Sequence, residues 1–389
     1  MLMVSSGLII GAGAVLALWA VLYGLSGKRE VDPLTGEPIQ KEEGLEVDLF
    51  VAMWRTKRLL GFIDRTASRA RKFWKVYGDV GIVVGFMGMA YVFYALLKTA
   101  LAALQTQGKQ AGVQLVIPGL TIPLWYGLIG LAVVMVVHEL SHGVVARADK
   151  LPLKSVGLVL FLVIPGAFVE PDEEELKKAP LRTRLRVYGA GSLANIVTAL
   201  IAVMVINFAL TPLFQPAGIE VAGVIENSPA FGVLEAGDVI TGINGETIRT
   251  LEDFERVING TRPGEVIALT ILRNGEEKSL SLKLGAREND PEKPYIGIYL
   301  GQHYTSKVGH EALVFPLFFA FYWIYILNLG IGLMNLFPLV PLDGGRMLDD
   351  VLKEYLPEKL ARPVRYATIG VGLLLLALNI WPALLNLAR

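Results

Sequence analysis

Val133-Val-Met-Val-Val-His138-Glu139-Leu-Ser-His142-Gly143 is the stretch from which the fold is read. His138 and His142 lie four apart, so on a helix both imidazoles project from one face, a turn apart. At that spacing two nitrogens can share one zinc ion. Glu139 can lean toward the open coordination position and act as general base on a water that the metal acidifies to a pKa of about 7. The setting is apolar: from Pro123 to Ala146 nearly every other residue is hydrophobic, and about 20 such residues cross a bilayer. Ionisable side chains at that depth are costly and mark a functional site. With only four His in the chain, a pair of satisfied core histidines is the weaker reading.

The whole chain agrees with a membrane setting. Of 389 residues 53% are hydrophobic and 19% charged, and the mean hydropathy is +0.51, too apolar for a water-soluble domain of this length. Lys+Arg and Asp+Glu balance at 36 each, so no nucleic-acid partner is expected. Without cysteine, a zinc ion must be held by nitrogen and oxygen.

Around the motif, about six spans are expected. Residues 1–25 read as an uncleaved anchor, because Lys28 and Arg29 follow the apolar run instead of preceding it. Residues 26–78 form a loop rich in Lys and Arg, eleven between Gly27 and Tyr77, which the positive-inside rule places in the cytoplasm. Within it, Trp54 to Lys75 has the pattern of an interfacial helix. Residues 79–211 hold three spans, Val80 to Leu104, Pro123 to Ala146 and Val187 to Leu210, and residues 312–389 hold two more. Val156 to Ile164, bounded by Pro152 and Pro165, is too short to span and is β-branched, so membrane-associated strands are expected there. A strand edge beside a metal site suits an extended peptide. The fourth span opens with Gly189-Ala-Gly191-Ser192-Leu-Ala194-Asn195, whose small residues favour close packing. The fifth ends in Asn335-Leu-Phe-Pro338-Leu-Val-Pro341-Leu-Asp343-Gly344-Gly345, a broken helix whose freed backbone must line a site. Asp343 is the natural third metal ligand.

Between the fourth and fifth spans the composition changes. Short alternating runs, turns at Asn244-Gly245 and Asn274-Gly275 and a helix from Leu251 to Ile258 describe a small α/β domain. Val224-Ile-Glu-Asn-Ser228-Pro229-Ala230, Ala236-Gly237-Asp238-Val-Ile240 and Ile243-Asn244-Gly245 resemble a PDZ domain, expected over 216–285. Two roles are open to it: capture of a peptide terminus between the strand Ile219 to Ile225 and that helix, or a sieve against bulky outer domains, which the absence of Arg and Lys from Gly218 to Val224 favours.

Taken together, the membrane-embedded His138-Glu139-x-x-His142, the PDZ-like insert and the later Asn335…Asp343-Gly344 resemble the site-2 protease family of intramembrane zinc metalloproteases, from about Pro123 to the C-terminus. The resemblance implies zinc held by His138, His142 and Asp343, Glu139 as general base, and Asn195 and Asn335 binding the substrate backbone or the oxyanion. One departure is Ser192 after Gly191, where the family often has Pro. The implied activity is hydrolysis of single-span membrane-protein substrates in or near their transmembrane segments, as in regulated intramembrane proteolysis. The implied place is the plasma membrane of a prokaryote, with the active site toward the cytoplasm and the PDZ-like domain outside. A non-catalytic PDZ-bearing scaffold or sensor is the alternative from another class, opposed by the intact Glu139. A metal transporter would need a polar route across several spans. The first two spans receive no chemistry in this reading.

Overall fold

The computed structural model describes residues 6–26, 43–106, 113–161, 164–287 and 289–387. Lys28 and Arg29, used above to orient the first span, lie outside them. Two compact units result, Met1–Val203 with Phe319–Arg389, and Met204–Phe318.

The first unit opens with α1 (Ser6–Leu25), β1 (Gly44–Asp48), β2 (Val51–Thr56), α2 (Leu60–Arg69), α3 (Arg71–Gln105) and α4 (Leu124–Ala148). Strands β3 (Leu153–Phe161) and β4 (Ile164–Pro171) follow, then α5 (Glu173–Lys178) and α6 (Leu181–Val205). Among the described residues five helices are long and apolar enough to cross a membrane, within 71–105, 124–148, 181–213, 311–334 and 358–382. The described apolar part of α1, Val15–Leu25, is shorter. The spans begin earlier than hydropathy alone suggests, because their basic first turns continue the helix beyond the apolar stretch.

The loop after α1 departs from expectation. Trp54 lies in a strand, and the helix expected from 54 to 75 is divided into short α2 and the start of α3. Strands β1 to β4 form one antiparallel sheet in that order, so β2 joins the hairpin expected after the metal motif. β4 is an edge strand, where Pro165 and Pro171 cost no ladder bond. Behind α4, the buried Ile63 and Ala67 of α2 share a core with Val144, Val145, Leu153 and Val169.

Glycines set how closely α3 packs. A Cβ at Gly81 would lie 3.0 Å from the Gly189 carbonyl of α6, and one at Gly88 would lie 2.4 Å from Leu336. Gly85 meets Met347 in the same way, at 2.6 Å. The second span therefore lies against α6 and against the segment that carries Asp343.

The second unit contains β5 (Phe214–Val224), β6 (Val239–Ile243), β7 (Glu246–Thr247), α7 (Leu251–Asn259), β8 (Val266–Arg273) and β9 (Glu276–Lys283). It continues with β10 (Gly285–Arg287), β11 (Asp290–Tyr295) and β12 (Ile298–Ser306). Both Asn-Gly pairs turn with positive φ, 51° and 80° at 244–245 and 55° and 82° at 274–275, as tight hairpins require. Thr250 and Asp253 close a capping box at the start of α7. Asp238 is 1% exposed. Burial alone would raise its pKa, but two hydrogen bonds from Arg273 and one from the Glu235 amide hold it below the ordinary carboxylate value.

Two expectations change here. The PDZ-like domain does not stop at 285, since β12 pairs along the length of β5. For the same reason Ile219 to Ile225 is not a free edge: Ile219 pairs with Gln302 on one side and Ile240 on the other. The edges of the sheet are β12 and β9, the two ends of the order β12-β5-β6-β8-β9, and β12 is the one next to β5.

The chain ends in α8 (Glu311–Met334), α9 (Asp343–Tyr355) and α10 (Glu358–Leu387).

Candidate active site

His138 and His142 project from α4 and are 8% and 9% exposed, and Asp343 is the first residue of α9. Asp343 Oδ2 lies 3.2 Å from His138 Nε2 and 3.3 Å from His142 Nε2, and the two Nε2 atoms are 3.0 Å apart. Among the described residues this is the one group of three such donors able to hold a metal ion. The outer sides of the rings explain why. His142 Nδ1 donates to the Val187 carbonyl at 2.6 Å, which in the neutral ring leaves Nε2 as an acceptor. Asp343 Oδ2 is buried without a hydrogen-bond partner. Acceptors converging in this way are stable around a cation, and the donor set fits a three-ligand metal site with a fourth position open.

The close approach of α6 depends on Gly191: a Cβ there would fall 2.4 Å from His142 Nε2 and 2.7 Å from His138 Cε1. Packing is thus a sufficient reason for that glycine. Asn195, a turn later, is fully buried, with Nδ2 3.1 Å from His138 Nδ1 and Oδ1 without a partner. It lies behind the ring and is not among the residues lining the cavity in front of His138, His142 and Asp343.

That cavity, of about 880 Å³, is lined by His138, Glu139, His142, Asp343 and Asn335. Its outer wall carries Arg55, Lys154 and Glu170, so water can occupy it. Glu139 lines the same cavity, and its Oε2 accepts the backbone N–H of Val169 at 3.0 Å. Asn335 follows α8 in the broken segment, where its carbonyl accepts from Gly344 N–H at 2.8 Å. A Cβ at Gly344 would be 2.0 Å from the Leu336 carbonyl oxygen, so only glycine lets α9 begin there.

The structure therefore brings five of the six candidate residues to one cavity and sets Asn195 behind it. Three participants escaped the sequence reading. Val187 and Val169 act through backbone atoms, which residue identity does not signal. Arg55 of β2 is 7% exposed, pairs with Glu46 and stands over the Phe168 ring. The alternation around Arg55 was a strand signal, but the neighbouring basic residues suggested a helix.

The chain is similar to two full-length proteins and, over a part of its length, to one solved domain. The uncharacterized protein MJ0971 of Methanocaldococcus jannaschii is 31% identical over 295 residues, covering 75% of this chain and 74% of that one. The zinc metalloprotease RasP of Geobacillus kaustophilus is 27% identical over 241 residues, 48% of this chain and 56% of its own length. A crystal structure of the PDZ domain of an SdrC-like protein from Listeria monocytogenes is 29% identical, covering 22% of this chain and 87% of that one at a TM-score of 0.20. The profile of Peptidase family M50 matches residues 126–379. Because that match begins before His138 and continues beyond Asp343, through both halves of the metal site, the chain belongs to Peptidase family M50.

Proposed function

We propose that this protein is a zinc endopeptidase of the site-2 type, cleaving single-span membrane proteins in or near their transmembrane segments. The observation that carries the reading is the convergence of two imidazoles and a carboxylate, inside apolar helices, on a cavity with a charged wall and a strand edge.

When bound, zinc supplies a Lewis acid that polarises a water molecule and the scissile carbonyl. His138, His142 and Asp343 would hold it, the histidines through the Nε2 atoms that face Asp343. Glu139 takes the proton from the attacking water and returns it to the leaving amine. Asn335 donates to the peptide backbone or to the developing oxyanion. The outer edge of β4 holds the unwound substrate as an added strand, replacing the hydrogen bonds that a helix loses on opening. In the PDZ-like domain, the edge of β12 is where a peptide would add.

Asn195 serves the metal through His138. With Nε2 as ligand the imidazole proton moves to Nδ1, and a half-turn of the Asn195 amide presents Oδ1 to accept it. Asn195→Leu is expected to weaken zinc binding about 10- to 100-fold, while Asn195→Asp, which keeps an acceptor, stays near wild type. Zinc titration of the metal-stripped protein measures both. An unchanged affinity in the leucine variant would remove this role.

The activity test is incubation of the purified protein with a panel of single-span peptides, with and without chelator. Cleavage that disappears with chelator and returns with zinc supports the proposal. A protein that copurifies without metal and cuts no peptide would point to a scaffold.

We infer sidedness from the basic residues. Arg71, Arg147, Arg182 and Arg186, at one end each of α3, α4 and α6, support a cytoplasmic side for those helix ends and an outer one for the PDZ-like domain. In this cysteine-free chain, Glu276→Cys is expected to react with an impermeant reagent in intact cells and Lys57→Cys is not. The opposite pattern would invert the topology.

A further inference from the structure

We propose that the junction of α2, α3 and α4 binds the phosphate of an anionic lipid headgroup. A cavity of about 480 Å³ opens there, lined by Asp64, Arg65, Ser68, Arg71, Arg147 and Lys150. Arg147 uses its fork on Asp64, with Nη2 2.9 Å from Oδ2, so the one carboxylate is already neutralised. Four cations against one acid leave three positive charges facing the space. Arg71 is fixed by donating from Nε to the Ala148 carbonyl at 2.7 Å, and Arg65 by donating to Gly61 at 3.1 Å. Their remaining guanidinium nitrogens and Lys150 Nζ form no ion pair among the described residues. Lys150 projects from a left-handed turn (φ 71°) that ends α4.

Two anchored guanidinium groups and an ammonium match the oxygens of a phosphate better than a single carboxylate. The surroundings favour a lipid over a free ion. Leu59, Phe62 and Phe73 are 51%, 51% and 59% exposed. Phe62 stands one turn from Arg65 on α2, so apolar and cationic surfaces adjoin on one short helix, the arrangement of a segment at the headgroup boundary. A phospholipid satisfies both surfaces with one molecule. The site also bears on the metal helix, since Ile63 is fully buried on the inner face of α2 and a Cβ at Gly143 would lie 3.3 Å from it. A headgroup holding α2 to α4 therefore fixes the helix beside His142.

The test uses the full-length protein in neutral phosphatidylcholine nanodiscs titrated with phosphatidylglycerol, reading retained lipid by native mass spectrometry and thermal unfolding in parallel. Phosphatidylglycerol is expected to bind saturably and to raise the unfolding temperature. Arg65→Gln with Lys150→Gln changes two exposed side chains and should weaken binding about thirtyfold, about fivefold per cation at a membrane surface. Lys353→Gln with Lys359→Gln, exposed on α9 and α10, removes the same charge elsewhere and should leave binding within about threefold. Equal losses in the two pairs would mean diffuse attraction and overturn the site. If inorganic phosphate in phosphatidylcholine reproduces the whole thermal shift, the ligand is the free ion and the lipid assignment fails.

Discussion

Glu139→Gln is expected to bind zinc as the wild type does and to lose at least about a hundredfold in peptide cleavage, the low end for removing a general base. Glutamine keeps the shape and still offers an oxygen to the Val169 N–H, which Glu139 now accepts at 3.0 Å, so β4 stays in place. The His138, His142 and Asp343 donors are unchanged. Only the capacity to take a proton is lost. Metal stoichiometry and cleavage measured on one preparation separate the two effects, and near-normal cleavage would remove Glu139 from the mechanism.

The second large effect is at Asp343. Its Oδ2 closes the triangle with both Nε2 atoms, at 3.2 and 3.3 Å, and without it two imidazoles remain, one ligand short of a catalytic site. Asp343→Ala should lose most bound zinc and all measurable cleavage. A carboxylate at the first position of α9 also favours that helix end by about 0.3 to 1 kcal/mol, so Asp343→Asn provides a second variant with less change of shape. Stoichiometric zinc of unaltered affinity in both variants would show that the third ligand is another group.

Much of the site was legible because its chemistry needs particular side chains at particular spacings. His138 and His142 are fixed by one helical turn, and Asp343 by the prolines and glycines that break an apolar span. The spans follow from hydropathy and the hairpins from Asn244-Gly245 and Asn274-Gly275. What escaped depends on long-range pairing. Nothing near Val51 to Thr56 shows that β2 joins β3, and nothing near Ile298 to Ser306 shows that β12 covers β5, because a ladder is specified by both partners. The position of Asn195 was readable as an amide needing a partner. That the partner is His138 required the crossing of α6 over α4.

The glycine contacts of α3 have a consequence for how a membrane-borne polypeptide reaches the metal. Where Gly81 meets Gly189 the two helices touch backbone to backbone, with no side chains whose rotamers could swing aside. Parting them would forfeit the whole contact at once, with only lipid to replace it. At this crossing the seam opens only if one whole helix moves away from the other, so the proposed substrate is expected to enter elsewhere.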